Sequence, residues 1–201
     1  MQNTVWRLRN NDAVYQSVTT SGVFSSSEIN LLKEYANSIP TEKPQVTDKN
    51  NLEKLIVDDK VRICEIKWLN PTDVEWLYRK LVDIIHKVNS EVFNLNLYGI
   101  QQLQYTIYNA ADQGFYGAHR DVLATTSGGM LRKLSFSLQL TDPTEYEGGE
   151  LIIDSGVKPH LVSKELGDMH FFLSDLMHEA RPVTKGSRHV LVGWVVGPPL
   201  V

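Results

Sequence analysis

The sequence predicts an α+β fold in which two amphipathic helices pack on one face of a β-sandwich or barrel. Three observations predict it. Apolar residues recur at helical spacing in two segments of the first half. From Leu97 onward, short β-rich segments follow one another between Gly, Pro and Asp turns with no helix between them, which argues against a doubly wound sheet. The 201 residues, 42% of them hydrophobic, suffice for one substantial core and lack the composition of a disordered chain.

In chain order, Ser25-x-x-Glu28 has capping-box spacing and announces the first helix. Ile29, Leu32, Tyr35, Ala36 and Ile39 continue it at helical spacing, and Pro40 ends it. Thr41–Asn51 is polar, contains Pro44 and reads as a loop, whereas Val61–Leu69 reads as a strand. Asn70-Pro71-Thr72 then starts a longer helix, with Val74, Leu77, Leu81, Ile84, Ile85, Val88 and Val92 as its apolar stripe. Further strand candidates are Gln101–Tyr108, Leu131–Leu140, Glu150–Ile153, Leu161–Val162, Asp168–Leu173, Arg181–Val183 and Arg188–Val196. No internal repeat, low-complexity block or long linker interrupts the chain. Residues 1–201 therefore read as a single domain, with 1–96 mainly helical support and 97–201 the β core.

The formal net charge of −4 and pI of about 5.9 give no electrostatic case for nucleic acid or an anionic membrane surface as partner. No stretch approaches the ~20 consecutive apolar residues of a membrane span. The first ten residues hold no apolar core of a secretory signal. The one cysteine, Cys64, allows no intrachain disulfide and fits a reducing, cytoplasmic setting. Inside the apolar run Val61–Leu69 it reads as a small buried hydrophobe.

The chemistry concentrates in two places. His119-Arg120-Asp121 puts an imidazole and a carboxylate two residues apart, on the same side of an extended segment and able to reach one metal ion. With 6 His and 24 acidic residues in 201, about 0.7 such pairs arise by chance, so the pair alone is weak. The stretch Gly167–Trp194 adds His178 and, ten residues later, Arg188, with a hairpin turn expected at Lys185-Gly186. Arg188, Val190, Val192 and Trp194 share one strand face by alternation. If Arg188 opposes the region of Val183, it lies ~16 Å along the sheet from His178. A five-carbon diacid reaching from the metal, met by an extended arginine, would cover most of that gap. Arginine suits the task because its planar fork binds a carboxylate bidentately.

The segment Gln104–Trp194 resembles the prolyl 4-hydroxylase-like branch of the 2-oxoglutarate/iron(II) dioxygenases, and is most similar to the PKHD-type hydroxylases. The matching features, in order, are Leu103–Tyr108, Gly114–Asp121, Arg132–Leu140, Tyr146-Glu-Gly-Gly-Glu-Leu151 and the run from Gly167 to Trp194. The resemblance implies a double-stranded β-helix, or jelly roll, with N-terminal supporting helices. It implies His119, Asp121 and His178 as iron ligands and Arg188 as the partner of the distal carboxylate of 2-oxoglutarate. It also implies a co-substrate contact from Tyr108, which lies eleven residues before His119 where the family uses nine or ten, with Tyr105 the alternative. Gln139 stands where some relatives place a tyrosine on the co-substrate, and its amide can donate a hydrogen bond there.

The implied activity is hydroxylation of an unactivated C–H bond with Fe(II), 2-oxoglutarate and O2, releasing succinate and CO2, with ascorbate as an auxiliary. Asp121 favours hydroxylation, since related halogenases leave that position open. The substrate expected is a prolyl or other residue of a peptide or protein. The alternatives are a free amino acid or other small molecule, or a non-catalytic metal- or 2-oxoglutarate-binding module. A nucleic-acid demethylase is disfavoured, because the second arginine of that class is missing downstream of Arg188.

The remaining candidates have plainer readings. His86 and His160 read as helix-surface and loop residues, and His189 alternates away from Arg188. His170 is a rival ligand that the family pattern disfavours. Gly148-Gly149 reads as a tight turn, and Arg120 and Arg181 as solvated charges or substrate contacts. Trp194 belongs to the pocket by parity or to ordinary core. Thr125–Gly129 is either a lid or a flexible connection.

Overall fold

The structure is a computed structural model that describes residues 16–48, 51–122, 129–156 and 158–199. After β1 (Ser17–Thr20), helix α1 (Ser26–Ser38) starts as the sequence predicts: the Ser25 hydroxyl accepts from the Glu28 amide while the Glu28 carboxylate accepts from the Ser25 amide. Glu28 also pairs with Lys80 at 2.5 Å, and that cation together with the cap holds its carboxyl down at about 2. The expected loop after α1 contains a hairpin instead, β2 (Val46–Asp48) against β3 (Asn51–Ile56). Its strands are too short and polar for alternation to reveal them. The strand at 61–69 is split into β4 (Arg62–Ile63) and β5 (Glu65–Trp68).

Helix α2 (Glu75–Val88) begins later than expected. The Asn70 side chain accepts from the amide and hydroxyl of Thr72, an Asx turn that holds residues 70–72 outside the helix. Val92 falls in a π-helical turn, Asn89–Phe93, beyond the end of α2.

The second half supplies β6 (Gly99–Asn109), β7 (Phe115–His119), β8 (Leu131–Gln139), β9 (Glu147–Gly148), β10 (Leu151–Asp154), β11 (Pro159–Leu161), β12 (Met169–Leu173), β13 (Met177–Ala180), β14 (Val183–Lys185) and β15 (Ser187–Gly197). The single strand expected at Arg181–Val183 is replaced by β13 and β14, because the Arg181-Pro182 step belongs to neither. Two antiparallel sheets form the body. One has the order β1-β12-β8-β15-β6-β5 and the other β11-β10-β13-β7-β4. Residues before 97 thus contribute strands to both sheets as well as the two helices.

Strand alternation assigns the faces. On β8, Leu134, Phe136 and Leu138 join the helix-side core with Leu32, Leu77, Leu81 and Ile85. Each such fully buried leucine contributes ~1.5–3 kcal/mol. The intervening Ser135, Ser137 and Gln139 are equally buried, but face the other sheet. On β15, Leu191 and Val195 pack toward the helices, while Arg188, Val190, Val192 and Trp194 line a cavity between the sheets. Gly193 is required in that strand, because a Cβ there would run into the rings and methyls of Phe136 and Leu103. The fold is the jelly roll that the resemblance implied, with helices covering one sheet and a polar-lined hollow between the two.

Outside the cavity, two histidines fasten the frame. His170 on β12 meets the Thr19 hydroxyl of β1 at 2.8 Å and the Ser163 carbonyl at 2.9 Å, and His189 meets the Tyr105 hydroxyl at 2.7 Å. Burial pushes both down from 6.5 to about 4. The unfolded chain therefore takes up protons at higher pH than the folded one, so stability is complete above pH 6.5 and falls as the pH drops toward 4. Urea titrations at pH 7, 5 and 4 are expected to show this loss, with His170 accounting for about 3 kcal/mol. His170→Gln should make the profile less steep, His189 supplying the remainder, and an unchanged slope would disprove the assignment.

Candidate active site

The cavity has a volume of about 390 Å³, within the range of small-ligand sites. His119 closes β7 and His178 stands directly opposite it on β13, with ring centroids 4.1 Å apart. Asp121 follows two residues after His119, and its amide donates to the Ser174 carbonyl, which turns the carboxylate back toward both rings. His119 Nε2 lies 3.6 Å from Asp121 Oδ1, and His178 Nε2 lies 3.5 Å from Asp121 Oδ2. The three residues offer ligand atoms within 4.8 Å of one another.

The ring orientations suit a cation. His119 Nδ1 lies 2.8 Å from the Gly117 carbonyl and His178 Nδ1 lies 3.0 Å from the Leu176 carbonyl. A carbonyl only accepts, so each Nδ1 carries a proton and each Nε2, the atom facing Asp121, is the one a metal ion would take in place of a proton. Burial, together with His119, pushes His178 below its ordinary value against the pull of Asp121. Burial opposes ionisation of Asp121, but His119, His178 and the Ser135 hydroxyl outweigh it and hold the carboxyl well below the carboxylate range. Ser135 donates to Asp121 Oδ2 at 2.8 Å and lies 2.9 Å from the Ser174 hydroxyl. Tyr116 stacks on His119 at 3.5 Å and 16°, and Phe172 packs on His178 at 4.6 Å, so both imidazole rings are fixed in orientation. Two imidazole nitrogens and one carboxylate form a donor set that fits iron(II) with a face left open.

The position of Arg188 corrects the expected hairpin. Gly186 does turn the chain with a positive φ of 68°, but β14 pairs with β9, and β15 enters the six-stranded sheet between β6 and β8. Arg188 and His178 therefore sit on facing sheets, across the cavity from one another, rather than along one sheet. Arg188 is 2% exposed. Its Nε and Nη2 donate to Gln139 Oε1 at 3.2 and 2.7 Å, and no carboxylate pairs with it among the described residues.

Gln139 also donates to the Tyr146 hydroxyl at 2.8 Å, so both ends of its amide are engaged and it ties the arginine in place. Tyr108 is the strand partner of Arg188, its ring 5.6 Å from the guanidinium, and it lines the cavity. Tyr105 faces the helix side, where its hydroxyl meets His189, which leaves Tyr108 as the tyrosine at the site. Trp194 lines the opposite end of the cavity, six residues along β15 from Arg188, or ~20 Å. Its indole N–H is buried without a hydrogen-bond partner among the described residues.

The rival histidines are not at this site. Both ring nitrogens of His170 are engaged on β12, and both of His189 are engaged by Tyr105 and Ser187. His86 is exposed on α2, and His160 is exposed on β11. Gly148 and Gly149 have φ of 74° and 63° and form the expected turn, which passes close against the Arg188 side chain. Arg120 is exposed at the rim, and Arg181 pairs with Glu179 at 3.7 Å. Cys64 is half-buried, its sulfur 3.1 Å from Arg62 Nε. Of Thr125–Gly129 only Gly129 is among the described residues, so the lid reading falls outside them. Sequence reasoning missed Ser135, Ser174, Tyr116 and Arg62. Alternation does put Ser135 on the polar face of β8, but nothing local aims it at Asp121.

Among the described residues no helix is long and apolar enough to cross a membrane. Residues 103–196 match the model of the 2OG-Fe(II) oxygenase superfamily. A PKHD-type hydroxylase of Stenotrophomonas maltophilia is 42% identical over 85 residues, which are 41% of this chain and 38% of that protein. One from Maricaulis maris is 39% identical over 80 residues, 40% of this chain and 36% of that protein. The chain thus spans less than half the length of the curated relatives it matches.

Among solved structures, a Pseudomonas putida prolyl-4-hydroxylase superposes with a TM-score of 0.67 at 19% identity, over 92% of this chain and 94% of that one. A prolyl hydroxylase from Trichoplax adhaerens, in complex with a hypoxia inducible factor peptide fragment, gives 0.70 at 16% identity, over 90% and 83%. At these identities the likeness establishes the fold. Residues 103–196, the part that holds the His–Asp–His cluster and the buried arginine, are thus similar to the 2OG-Fe(II) oxygenase superfamily over just under half of the chain.

Proposed function

We propose that the protein is an Fe(II)- and 2-oxoglutarate-dependent dioxygenase that hydroxylates a C–H bond in a residue of a peptide or protein, a prolyl residue being the first candidate. The observation that carries this reading is one cavity holding both the His119–Asp121–His178 cluster and a buried arginine that no carboxylate among the described residues pairs with directly. The peptide in the complex of the Trichoplax enzyme supports a peptide substrate.

His119, Asp121 and His178 would hold the metal through two Nε2 atoms and one carboxylate. Iron(II) there would supply, with 2-oxoglutarate and O2 as co-reactants, the oxidising power for hydroxylating an unactivated C–H bond, one oxygen atom going to the product and the other to succinate, with CO2 released. Every other part of the task belongs to the protein. Arg188, locked by Gln139, would grip the distal carboxylate of the diacid and so select its length and orientation. Tyr108 would border the same group. Ser135 and Ser174 keep the Asp121 carboxylate aimed at the metal position. Phe172, Val190 and Val192 give the cavity apolar walls that exclude water around the reacting carbon. Trp194, at the end away from Arg188, is placed to line the substrate.

The test is to add Fe(II) and 2-oxoglutarate to metal-free protein without oxygen, follow the visible charge-transfer band, then admit oxygen and quantify succinate. A band that needs both components, followed by succinate, is expected. Its complete absence would overturn the assignment and favour a non-catalytic jelly-roll module.

A further inference from the structure

The cavity contains a second buried arginine built like the first. Arg62, on β4, is 8% exposed and lies outside the stretch that matches the superfamily model. Its Nη2 donates to the Gln104 side-chain oxygen at 2.7 Å and its Nε to the Cys64 sulfur at 3.1 Å. Arg188 has the same arrangement with Gln139. In both cases a guanidinium is held by a neutral amide oxygen, and no carboxylate pairs with it among the described residues. A neutral acceptor satisfies donors but does not neutralise the charge, and a buried cation is stabilised further when an opposite charge comes to it. For Arg188 that partner would be the co-substrate. For Arg62 nothing assigned so far supplies it.

Its location says which molecule would. The guanidinium lies 4.4 Å over the ring of Tyr116, and the same ring stacks on His119, so Arg62 is one aromatic ring away from the metal cluster. Gln104, which anchors it, is four residues along β6 from Tyr108, the strand partner of Arg188, or ~13 Å. Gln104 pairs with Val192, between the Arg188 end of the cavity and the Trp194 end. The wall around it is cationic: Lys43, Arg62, Arg120 and Arg132 line the cavity besides Arg188, against Glu42 and Asp121. Arg132 lies 4.0 Å over the Trp194 ring, at the end away from Arg188, and no carboxylate pairs with it among the described residues. A chain with a net charge of −4 has gathered its cations where a second ligand would enter.

We propose that Arg62 is a second carboxylate-binding subsite, and that the carboxylate it takes belongs to the substrate to be hydroxylated, either an α-carboxylate or an acidic side chain. This rests on reading the Arg188 end as the co-substrate site. Arg62 is then a specificity-determining residue, with Arg132 and Trp194 flanking the bound acid.

The test uses the full chain saturated with manganese(II) and 2-oxoglutarate, so that Arg188 is occupied. Binding of matched probes is read by tryptophan fluorescence, since Trp68 and Trp194 line the cavity. One pair is N-acetylproline and its amide, which tests an α-carboxylate. The other is N-acetylglutamate α-amide and N-acetylglutamine α-amide, which tests an acidic side chain. In at least one pair the acid is expected to bind tenfold or more tighter than the amide, and the responding pair identifies the source.

Arg62→Gln should abolish that preference while the dissociation constant for 2-oxoglutarate stays within threefold. Gln104→Glu provides the arginine with an internal carboxylate. It should abolish the preference too, while raising the melting temperature, which covers the case that Arg62→Gln folds poorly. Lack of acid preference in both pairs overturns the proposal, as does a preference that survives both variants. So does loss of 2-oxoglutarate binding in Arg62→Gln, which would make Arg62 a co-substrate residue. Failure of the wild type to bind 2-oxoglutarate at all is a separate reading and would sink the assignment of Arg188 instead.

Discussion

Arg188→Met is expected to weaken 2-oxoglutarate binding roughly 30- to 4,000-fold, equivalent to about 2–5 kcal/mol for removing one partner of a buried charged pair. The magnitude follows from burial. The guanidinium is 2% exposed, so water cannot replace it as a partner for the carboxylate. Methionine fills much of the space but leaves Gln139 Oε1 without the two donors it now accepts from. That unsatisfied oxygen costs about 1–3 kcal/mol of fold stability, so the variant should melt earlier even without ligand. Arg188→Lys separates charge from geometry. It keeps the cation but loses the fork that engages Gln139 and a carboxylate together, and an intermediate affinity is expected. Equilibrium titration of the manganese-loaded protein with 2-oxoglutarate checks both variants. A dissociation constant within threefold of wild type for Arg188→Met would remove the arginine from the co-substrate site.

The sequence made the strands that carry the site legible in unequal measure, for physical reasons. Long strands with strict alternation, β6, β8 and β15, are evident because one face is helix-packed core and the other lines the cavity. Capping chemistry announced α1, where Ser25 and Glu28 act through contacts three residues apart. The β2–β3 hairpin and the split of residues 61–69 were not legible, since pairing partners distant in the chain decide them.

The site divides in the same way. His119 and Asp121 are neighbours in sequence, and their common direction is a local property of extended chain. The relation of Arg188 to His178 is not local. The turn at Gly186 was visible, but which strand β15 pairs with depends on β6 and β8, far earlier in the chain. An assumption of nearest-neighbour pairing therefore put the two residues on one sheet instead of on facing ones. Arg62 carries no motif at all. Its significance comes from burial without a carboxylate partner among the described residues, a property that only the assembled cavity defines.

His178→Ala and His170→Gln form a crossed experiment on the two buried histidines, and the first is expected to have the larger effect on chemistry. Both residues lie on strands in the same stretch of chain, both are buried, and burial pushes both below the ordinary imidazole value. They differ in what their ring nitrogens meet. His170 has both nitrogens engaged by Thr19 and Ser163, so it has no lone pair to spare and acts as a fastener of β12. His178 has Nδ1 engaged by the Leu176 carbonyl and Nε2 directed at Asp121, 3.5 Å away.

Removing His178 takes one of three donor atoms from the metal position. The iron and 2-oxoglutarate band should vanish and succinate formation should fall more than ~100-fold, beyond the 10–100-fold typical of losing a mere supporting contact. The pH profile of stability between 6.5 and 4 should persist, because His170 and His189 still resist protonation. His170→Gln should leave the band intact and make the profile less steep, with His189 supplying what remains. A band that survives His178→Ala but is lost in His170→Gln would exchange the two roles and dismantle the triad. A band lost in both would mean that it reports on the integrity of the sheet rather than on a metal ligand. Only the crossed pattern is consistent with His178 as a ligand and His170 as a structural tie.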